Sequence, residues 1–156
     1  MKVYLAAPFF TDEQKNDKTS IKEILELCDD IEILDPQDYN LGIKGWEMTN
    51  HQWGMEVFQG DLNSLEEADV VVAIDYGLYG DNGTAWEIGY AYAKNIPVIT
   101  IIPDSTIPLP HSLMVCSASK IFIALSRFCL VVACSDQFKN FIEIGHQYNL
   151  LGVELK

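Results

Sequence analysis

The chain has 156 residues and a mass of 17.6 kDa, enough for one domain with a proper core. Apolar residues make up 49% of it and the mean hydropathy is +0.07, values of a globular, water-soluble chain. A formal charge of −13 argues against nucleic acid as a partner, because phosphate-rich ligands need a basic face.

Val3 to Ala7 reads as a first, central strand ended by Pro8, with Phe9 and Phe10 at its carboxyl end. The strand-like start leaves no room for an export signal, so a cytoplasmic location is expected. Thr11-Asp-Glu-Gln14 is a helix-start pattern, in which Thr11 caps and Gln14 completes the box. Ile21, Ile24, Leu25 and Cys28 then carry a helix to about Cys28. Ile31 to Leu34 is a short second strand, and Asp35 to Gly45 reads as a long loop. Gln37 and Tyr39 in that loop are placed toward the same crevice as Phe9. A second helix runs from about Thr49 to Glu67, with Trp53, Val57, Asp61, Leu62 and Leu65 at helical intervals. Asp61 interrupts that apolar stripe; an unpaired buried carboxylate is costly, so it must pair or open onto a polar cleft.

Val70 to Ile74 is a continuous β-branched run, as in a strand covered on both faces. Gly77, Gly80 and Gly83 follow it, and helical spacing resumes near Thr84 with Ala85, Ile88, Gly89 and Tyr92. Ile96 to Ile102 is a fourth strand. His111 to Ser117 is a short segment after two prolines, Pro108 and Pro110. Lys120 to Leu125 and Cys129 to Ala133 both read as strands, and one of them is the fifth. Ser135 to Leu150 closes the chain as a helix with Phe138, Phe141, Ile142 and Gly145 facing inward. The longest apolar run, Phe128 to Cys134, is far too short for a membrane span, so no membrane partner is expected.

Alternating strands and helices predict a three-layer α/β domain with a five-stranded parallel sheet. Right-handed crossovers favour the flavodoxin-like order 2-1-3-4-5, which brings the ends of the first and third strands together at the switch point. The Phe9-Phe10 turn and the loop from Gly77 to Gly83 then line one pocket.

That pocket holds aromatics and carboxylates. His51, His111 and His146 show no metal-ligand spacing, and Cys28, Cys116, Cys129 and Cys134 form no CxxC pair and read as buried free thiols. Glycosyl-bond chemistry suits such an inventory, since one carboxylate can attack an anomeric carbon while another carboxyl protonates the leaving group. Glu87, read as lying in the first turn of its helix, is the candidate nucleophile, ionised by the helix dipole. Asp61 and Asp81 are candidates for proton donor and sugar-hydroxyl acceptor. Plain structural readings stand beside these. Thr84-Ala-Trp-Glu87 fits a capping box, Asp81-Asn-Gly83 fits a turn, and Phe9, Phe10, Trp53 and Tyr4 all suit a core.

Three segments together resemble the nucleoside 2-deoxyribosyltransferase family. They are Val3-Tyr-Leu-Ala-Ala-Pro-Phe-Phe-Thr-Asp12, Gly60-Asp-Leu-Asn-Ser-Leu-Glu-Glu-Ala-Asp-Val-Val-Val-Ala73 and Asp81-Asn-Gly-Thr-Ala-Trp-Glu-Ile-Gly-Tyr-Ala91. The resemblance spans residues 2–104 and implies a flavodoxin-like fold. It implies Glu87 as the nucleophile of a covalent deoxyribosyl ester, Tyr4 as its orienting donor and Asp61 as the proton-transfer partner. Asp81 and Gly83 fall in the sugar-side motif. Gln37, in Leu34-Asp-Pro-Gln37, resembles a base-binding Gln, and Phe10, Phe9 and Trp53 resemble pocket aromatics. The implied substrates are 2'-deoxynucleosides and free nucleobases, exchanged with retention and without a cofactor or metal. A hydrolase of deoxynucleosides or their 5'-monophosphates is the alternative, and a non-catalytic nucleoside-binding module a further one. The resemblance also implies a homo-oligomer, a hexamer or dimer, whose neighbouring subunit completes the site. The chain departs from the family after the fourth strand: Met114-Val-Cys-Ser-Ala-Ser-Lys120 has no Asn, and Gly152-Val-Glu-Leu-Lys156 has no terminal aromatic.

Overall fold

The computed structural model describes residues 1–39, 51–107, 110–133 and 138–144. A five-stranded sheet forms the centre: β1 (Lys2–Ala6), β2 (Glu32–Leu34), β3 (Val70–Ile74), β4 (Val98–Ile102) and β5 (Ile121–Ala124). Its order is β2-β1-β3-β4-β5 and every neighbouring pair is parallel, as the crossover rule predicts. Every residue of β3 and of β4 is buried. That is the physical reason β3 reads as an unbroken apolar run, and β4 as one interrupted only by Thr100, rather than as alternating strands.

Strand alternation sorts the core into two layers. Val3, Leu5, Val70, Val72, Ile99 and Ile101 point to one side, where Ile21 and Leu25 of α1 (Asp12–Glu26) join Phe128 and Val132 of α6 (Leu125–Ala133). Tyr4, Ala6, Val71 and Ala73 point to the other. There they meet Leu65 of α3 (His51–Glu67), Ile88 and Ala91 of α4 (Asn82–Ala93) and Val115 of α5 (Leu113–Ala118). The period of two along β1 therefore aims Tyr4 at α3 and α4, away from α1.

Several expectations are corrected. The loop after β2 begins as a helical turn, α2 (Pro36–Tyr39), because the Asp35 carboxylate accepts from the Gln37 N–H at 2.9 Å. Residues 40–45, and residues 49 and 50 of the expected second helix, lie outside the described residues, as does the Tyr39 side chain. Of the two strand-like segments near the C-terminus, only Lys120 to Leu125 supplies β5. Cys129 to Ala133 belongs to α6, where Phe128 and Val132, four apart, turn one face onto Phe138 and Phe141. The closing helix is described as α7 (Phe138–Ile144), with Phe138 and Ile142 buried as expected; residues 134–137 and 145–156, with Cys134, Gly145 and His146, lie outside the described residues, as does Pro108. Cys28, Cys116 and Cys129 are free thiols, but half-buried rather than buried. No helix among the described residues is long and apolar enough to cross a membrane.

The first helix starts as its sequence demands: Thr11 Oγ1 accepts from the Gln14 N–H at 3.2 Å, and Gln14 Oε1 accepts from the Thr11 N–H at 3.1 Å. The start of α4 does not. Its cap is Asp81, whose Oδ2 accepts from the Thr84 N–H at 2.8 Å, so the helix begins three residues earlier than the Thr84 box would put it.

Candidate active site

The earlier start of α4 changes what Glu87 does. A capping-box glutamate would bond the cap N–H; Glu87 instead lies a turn further in and accepts from the Tyr4 hydroxyl at 2.6 Å through Oε1. It is thus beyond the first turn, where the helix dipole is felt most. Burial, not the dipole, dominates its chemistry. Desolvation pushes the carboxyl up to about 7, the Tyr4 hydrogen bond opposes this, and the charges of Asp61 and Asp81 add to it. Tyr4 is fully buried and its own titration is raised, first by burial and then by Glu87, so it remains a donor at all ordinary pH.

Asp61 comes from α3 and faces the same cleft. Tyr4, Phe58, Asp61, Leu62, Leu65, Gly83, Trp86 and Glu87 line a cavity of about 270 Å³ between α3 and α4. Phe58, Asp61, Leu62 and Leu65 follow the i, i+3, i+4, i+7 spacing of one helix face, so the carboxylate sits within an apolar stripe. Burial alone pushes Asp61 up to about 6. Two carboxyls with raised titration therefore open onto one apolar cleft, an arrangement in which one is ionised while the other holds a proton near neutral pH.

Asp81 caps α4 and lies beside the cleft rather than in its wall. Its Oδ2 takes the Thr84 N–H and hydroxyl, and a Cβ at Gly83 would stand 2.8 Å from that oxygen. Gly83 is thus small for the sake of the cap as much as for a ligand. Gly77 has φ +65° and its Cβ would meet the Pro110 carbonyl at 2.9 Å, so this loop glycine serves a chain crossing, not the cavity.

Phe9, Phe10, Trp53 and Gln37 are not in this cavity wall. The Phe9-Phe10 turn leads into α1, which packs on the opposite face of the sheet from Tyr4, and of the two loops expected to share a pocket only the second, through Gly83, lines this cavity. They stack on each other at 5.2 Å between centroids, and Phe10 is 60% exposed. Trp53 is half-buried on α3. Gln37 is engaged by Lys18, whose ammonium donates to its Oε1 at 2.7 Å.

Sequence reasoning missed three residues. Trp86 and Phe58 form the outer wall, edge to face at 5.5 Å, and Trp86 stacks on Tyr90 one turn on at 5.1 Å. Trp86 adjoins Glu87 in the chain, which is a signal of position but not of direction. Lys18 is 4% exposed, and its place on the buried stripe with Ile21 and Leu25 was the available signal.

Tyr4→Phe removes the one hydrogen bond that holds the Glu87 titration down. The Glu87 midpoint should move above about 7, read by carbon NMR of the side-chain carboxyl; an unchanged midpoint would show that the hydroxyl does not govern the carboxylate.

The model of the nucleoside 2-deoxyribosyltransferase family matches residues 3–144. A nucleoside deoxyribosyltransferase from Lactobacillus leichmannii is 25% identical over 136 residues, covering 80% of this chain and 85% of that protein. A protein from Thermofilum pendens, provisionally named 2'-deoxynucleoside 5'-phosphate N-hydrolase 1, is 33% identical over 106 residues, covering 65% of this chain and 67% of its own length. Among solved structures, the 2-deoxyribosyltransferase of Bacillus psychrosaccharolyticus superposes with a TM-score of 0.68 at 27% identity, over 78% of this chain and 85% of that one.

Proposed function

Since the chain belongs to the nucleoside 2-deoxyribosyltransferase family, whose members act on the N-glycosidic bond of deoxynucleosides, we infer that it exchanges nucleobases on 2'-deoxyribose by double displacement through Glu87. The observation that carries this reading is the Tyr4–Glu87 hydrogen bond at the wall of a cleft shared with Asp61. Tyr4 takes Glu87 Oε1, while Oε2 accepts no hydrogen bond among the described residues and is the attacking oxygen.

In the first step Oε2 forms a bond to C1' of the deoxynucleoside. The C1'–N bond breaks, its electron pair goes to the base nitrogen, and protonated Asp61 supplies the proton. The apolar walls keep water scarce and raise the acid to about 6, so that a fraction of it is protonated near neutral pH. In the second step the nitrogen of another base attacks C1', the ester electrons return to Glu87, and Asp61 takes the proton back. Two inversions give net retention. Sugars lacking the 2'-hydroxyl are favoured, because that electron-withdrawing group would destabilise the cationic transition state. Asp81 Oδ1 accepts no hydrogen bond among the described residues and is the acceptor for a sugar hydroxyl. Both steps as written balance without a metal or other cofactor.

The Thermofilum relative favours a second reading, hydrolysis of a 5'-phosphorylated substrate. The cavity wall argues against it: among the described residues the charged ones that line it are Asp61 and Glu87, and a phosphate dianion is recognised by cations or by clustered N–H groups. This favours free deoxynucleosides as the substrates; the reading of base transfer as the main reaction rests on the likeness to the deoxyribosyltransferases.

The test is a chromatographic assay of the protein with deoxyinosine plus adenine, deoxyuridine plus adenine, each nucleoside alone, and the 5'-monophosphate of each alone. New deoxyadenosine is the expected product. Free base released at the same rate with and without adenine, or cleavage confined to 5'-monophosphates, would establish the hydrolase instead.

A further inference from the structure

The cleft that holds Glu87 and Asp61 is walled on its outer side by two rings that the reaction as derived does not use. Phe58 of α3 and Trp86 of α4 both line it, and they meet edge to face with 5.5 Å between centroids and 60° between planes. Neither is a core residue: Phe58 is 44% and Trp86 47% exposed. Phe58 stands three residues before Asp61 and so lies beside that carboxyl on one helix face, while Trp86 is the chain neighbour of Glu87.

The indole is held from behind. Its ring stacks on Tyr90 at 5.1 Å with 17° between planes. The Tyr90 hydroxyl donates to Glu66 Oε1. The Lys94 ammonium donates to the same oxygen at 2.8 Å and stands 5.1 Å from the centre of the Tyr90 ring. Glu66 belongs to α3, and Tyr90 and Lys94 to α4 and its C-terminal cap, so this anchor ties together the two helices that form the cleft. One face of the indole is therefore packed, and the corner it makes with Phe58 faces the cavity. A flat ring placed in such a corner stacks on one side chain and abuts the other, and because the corner is already ordered little freedom is lost on binding.

The same wall offers little with which to read a base by its edge. Apart from the indole N–H, its polar side chains among the described residues are Tyr4, Asp61 and Glu87, and the Tyr4 hydroxyl is given to Glu87. What remains for the base is aromatic surface, which tolerates any base because every base has a π face. We propose that Trp86, with Phe58, is the surface on which the departing and the incoming base stack, and that Tyr90, Glu66 and Lys94 are positioning residues that hold it. This rests on the reading of the cleft as a base-exchange site. Recognition by the ring face makes affinity follow ring area. Purines then bind before pyrimidines, and adenine and hypoxanthine bind alike, since they differ at an edge and not in the face.

The Glu87→Gln protein, which cannot form the ester, gives nucleoside affinities that do not depend on turnover. Calorimetry with deoxyadenosine, deoxyinosine and deoxyuridine should rank the two purines together above the pyrimidine. Adding Trp86→Ala should weaken deoxyadenosine by about tenfold or more, while Trp86→Phe, which keeps a ring, should cost no more than about threefold. Bound deoxyadenosine should also quench indole emission, and Trp86→Phe should abolish the quenching while the nucleoside still binds. A ring that only supported the fold would not give that signature. In the otherwise wild-type enzyme, Lys94→Met loosens the anchor and should raise the KM for the acceptor base rather than lower kcat. Should Trp86→Ala fail to fold, the quenching lost in Trp86→Phe decides the matter. Deoxyadenosine affinity unchanged within about twofold in Trp86→Ala, or quenching that persists in Trp86→Phe, overturns the proposal while leaving base exchange intact. Affinity that returns as the variant is concentrated, together with a rise in sedimentation rate, would assign Trp86 to a contact between copies of the chain and overturn it as well. Absence of exchange in the wild type, with affinities and quenching as expected, would overturn the transfer reaction and leave Trp86 as the base-stacking residue.

Discussion

Glu87→Gln should lower transfer by on the order of 10⁴-fold or more, since the amide cannot form the ester on which both steps depend. Mass spectrometry of the wild type with a deoxynucleoside and no acceptor should reveal a protein-bound deoxyribosyl group, absent in the variant. A variant that retains a tenth of the activity would remove Glu87 as nucleophile. The same substitution should make the protein more stable at alkaline pH. The carboxyl titrates at about 7 when folded against 4.5 as a model group, so the native state binds the proton more tightly than the unfolded chain does. Native stability is therefore lost as pH rises from about 4.5 through 7, and the whole penalty is present at pH 8. A neutral isostere escapes it. Discounted for partial exposure, the gain is about 2 kcal/mol, or a rise in Tm of roughly 4–8 °C at pH 8 that shrinks to almost nothing near pH 5. A Tm difference that is the same at both pH values would mean that packing, not ionisation, sets it.

Asp61→Asn should cost about 10²- to 10⁴-fold for ordinary deoxynucleosides, because a departing base anion then receives no proton. A deoxynucleoside of 7-methylguanine, already cationic, leaves without help and should be cleaved by the variant nearly as fast as by the wild type. An equal loss on both substrates would assign Asp61 to binding rather than to proton transfer. The pH profile supplies a second reading. The form required by this mechanism has Glu87 ionised and Asp61 protonated; it is the minor of the two singly protonated forms of the pair, since Glu87 is the weaker acid and holds the proton more often. With the two carboxyls raised to about 7 and about 6, kcat/KM should be bell-shaped with limbs near those values and a maximum between them. Below the lower limb both are protonated and there is no nucleophile; above the upper limb both are ionised and there is no acid. Asp61→Asn removes the alkaline limb. It leaves Glu87 to titrate alone without the charge that raises it, so the one remaining limb should lie between the two wild-type limbs, above the wild-type acid limb and below about 7.

How far these features could be read in advance depends on the range of the interaction. The Thr11 box, the apolar runs of β3 and β4 and the strand order follow from neighbours in the chain and from the handedness of crossovers. The start of α4 was misread for a local reason as well. Asp81 and Thr84 are both good caps three residues apart, and spacing alone cannot rank them; Asp81 prevails because Gly83 leaves room for its carboxylate. Cys129 to Ala133 is as apolar as a strand, and only its packing on Phe138 and Phe141 makes it a helix. Asp61 was legible as a carboxylate out of place on an apolar face. Lys18 carries the same signal, a charge on a buried stripe, and its partner Asp35 lies seventeen positions away on another element.

The order of residues thus specified the sheet, its parallel sense and the candidate carboxylates, because strand burial, helix caps and crossover hand act over short stretches of chain. The environment of those carboxylates came from folding. Tyr4 and Glu87 are 83 positions apart and meet because alternation along β1 turns the tyrosine toward α4. Burial between α3 and α4 then moves Glu87 and Asp61 into the neutral range. Desolvation is a property of everything that surrounds a group in space, and no pattern along a single chain segment encodes it.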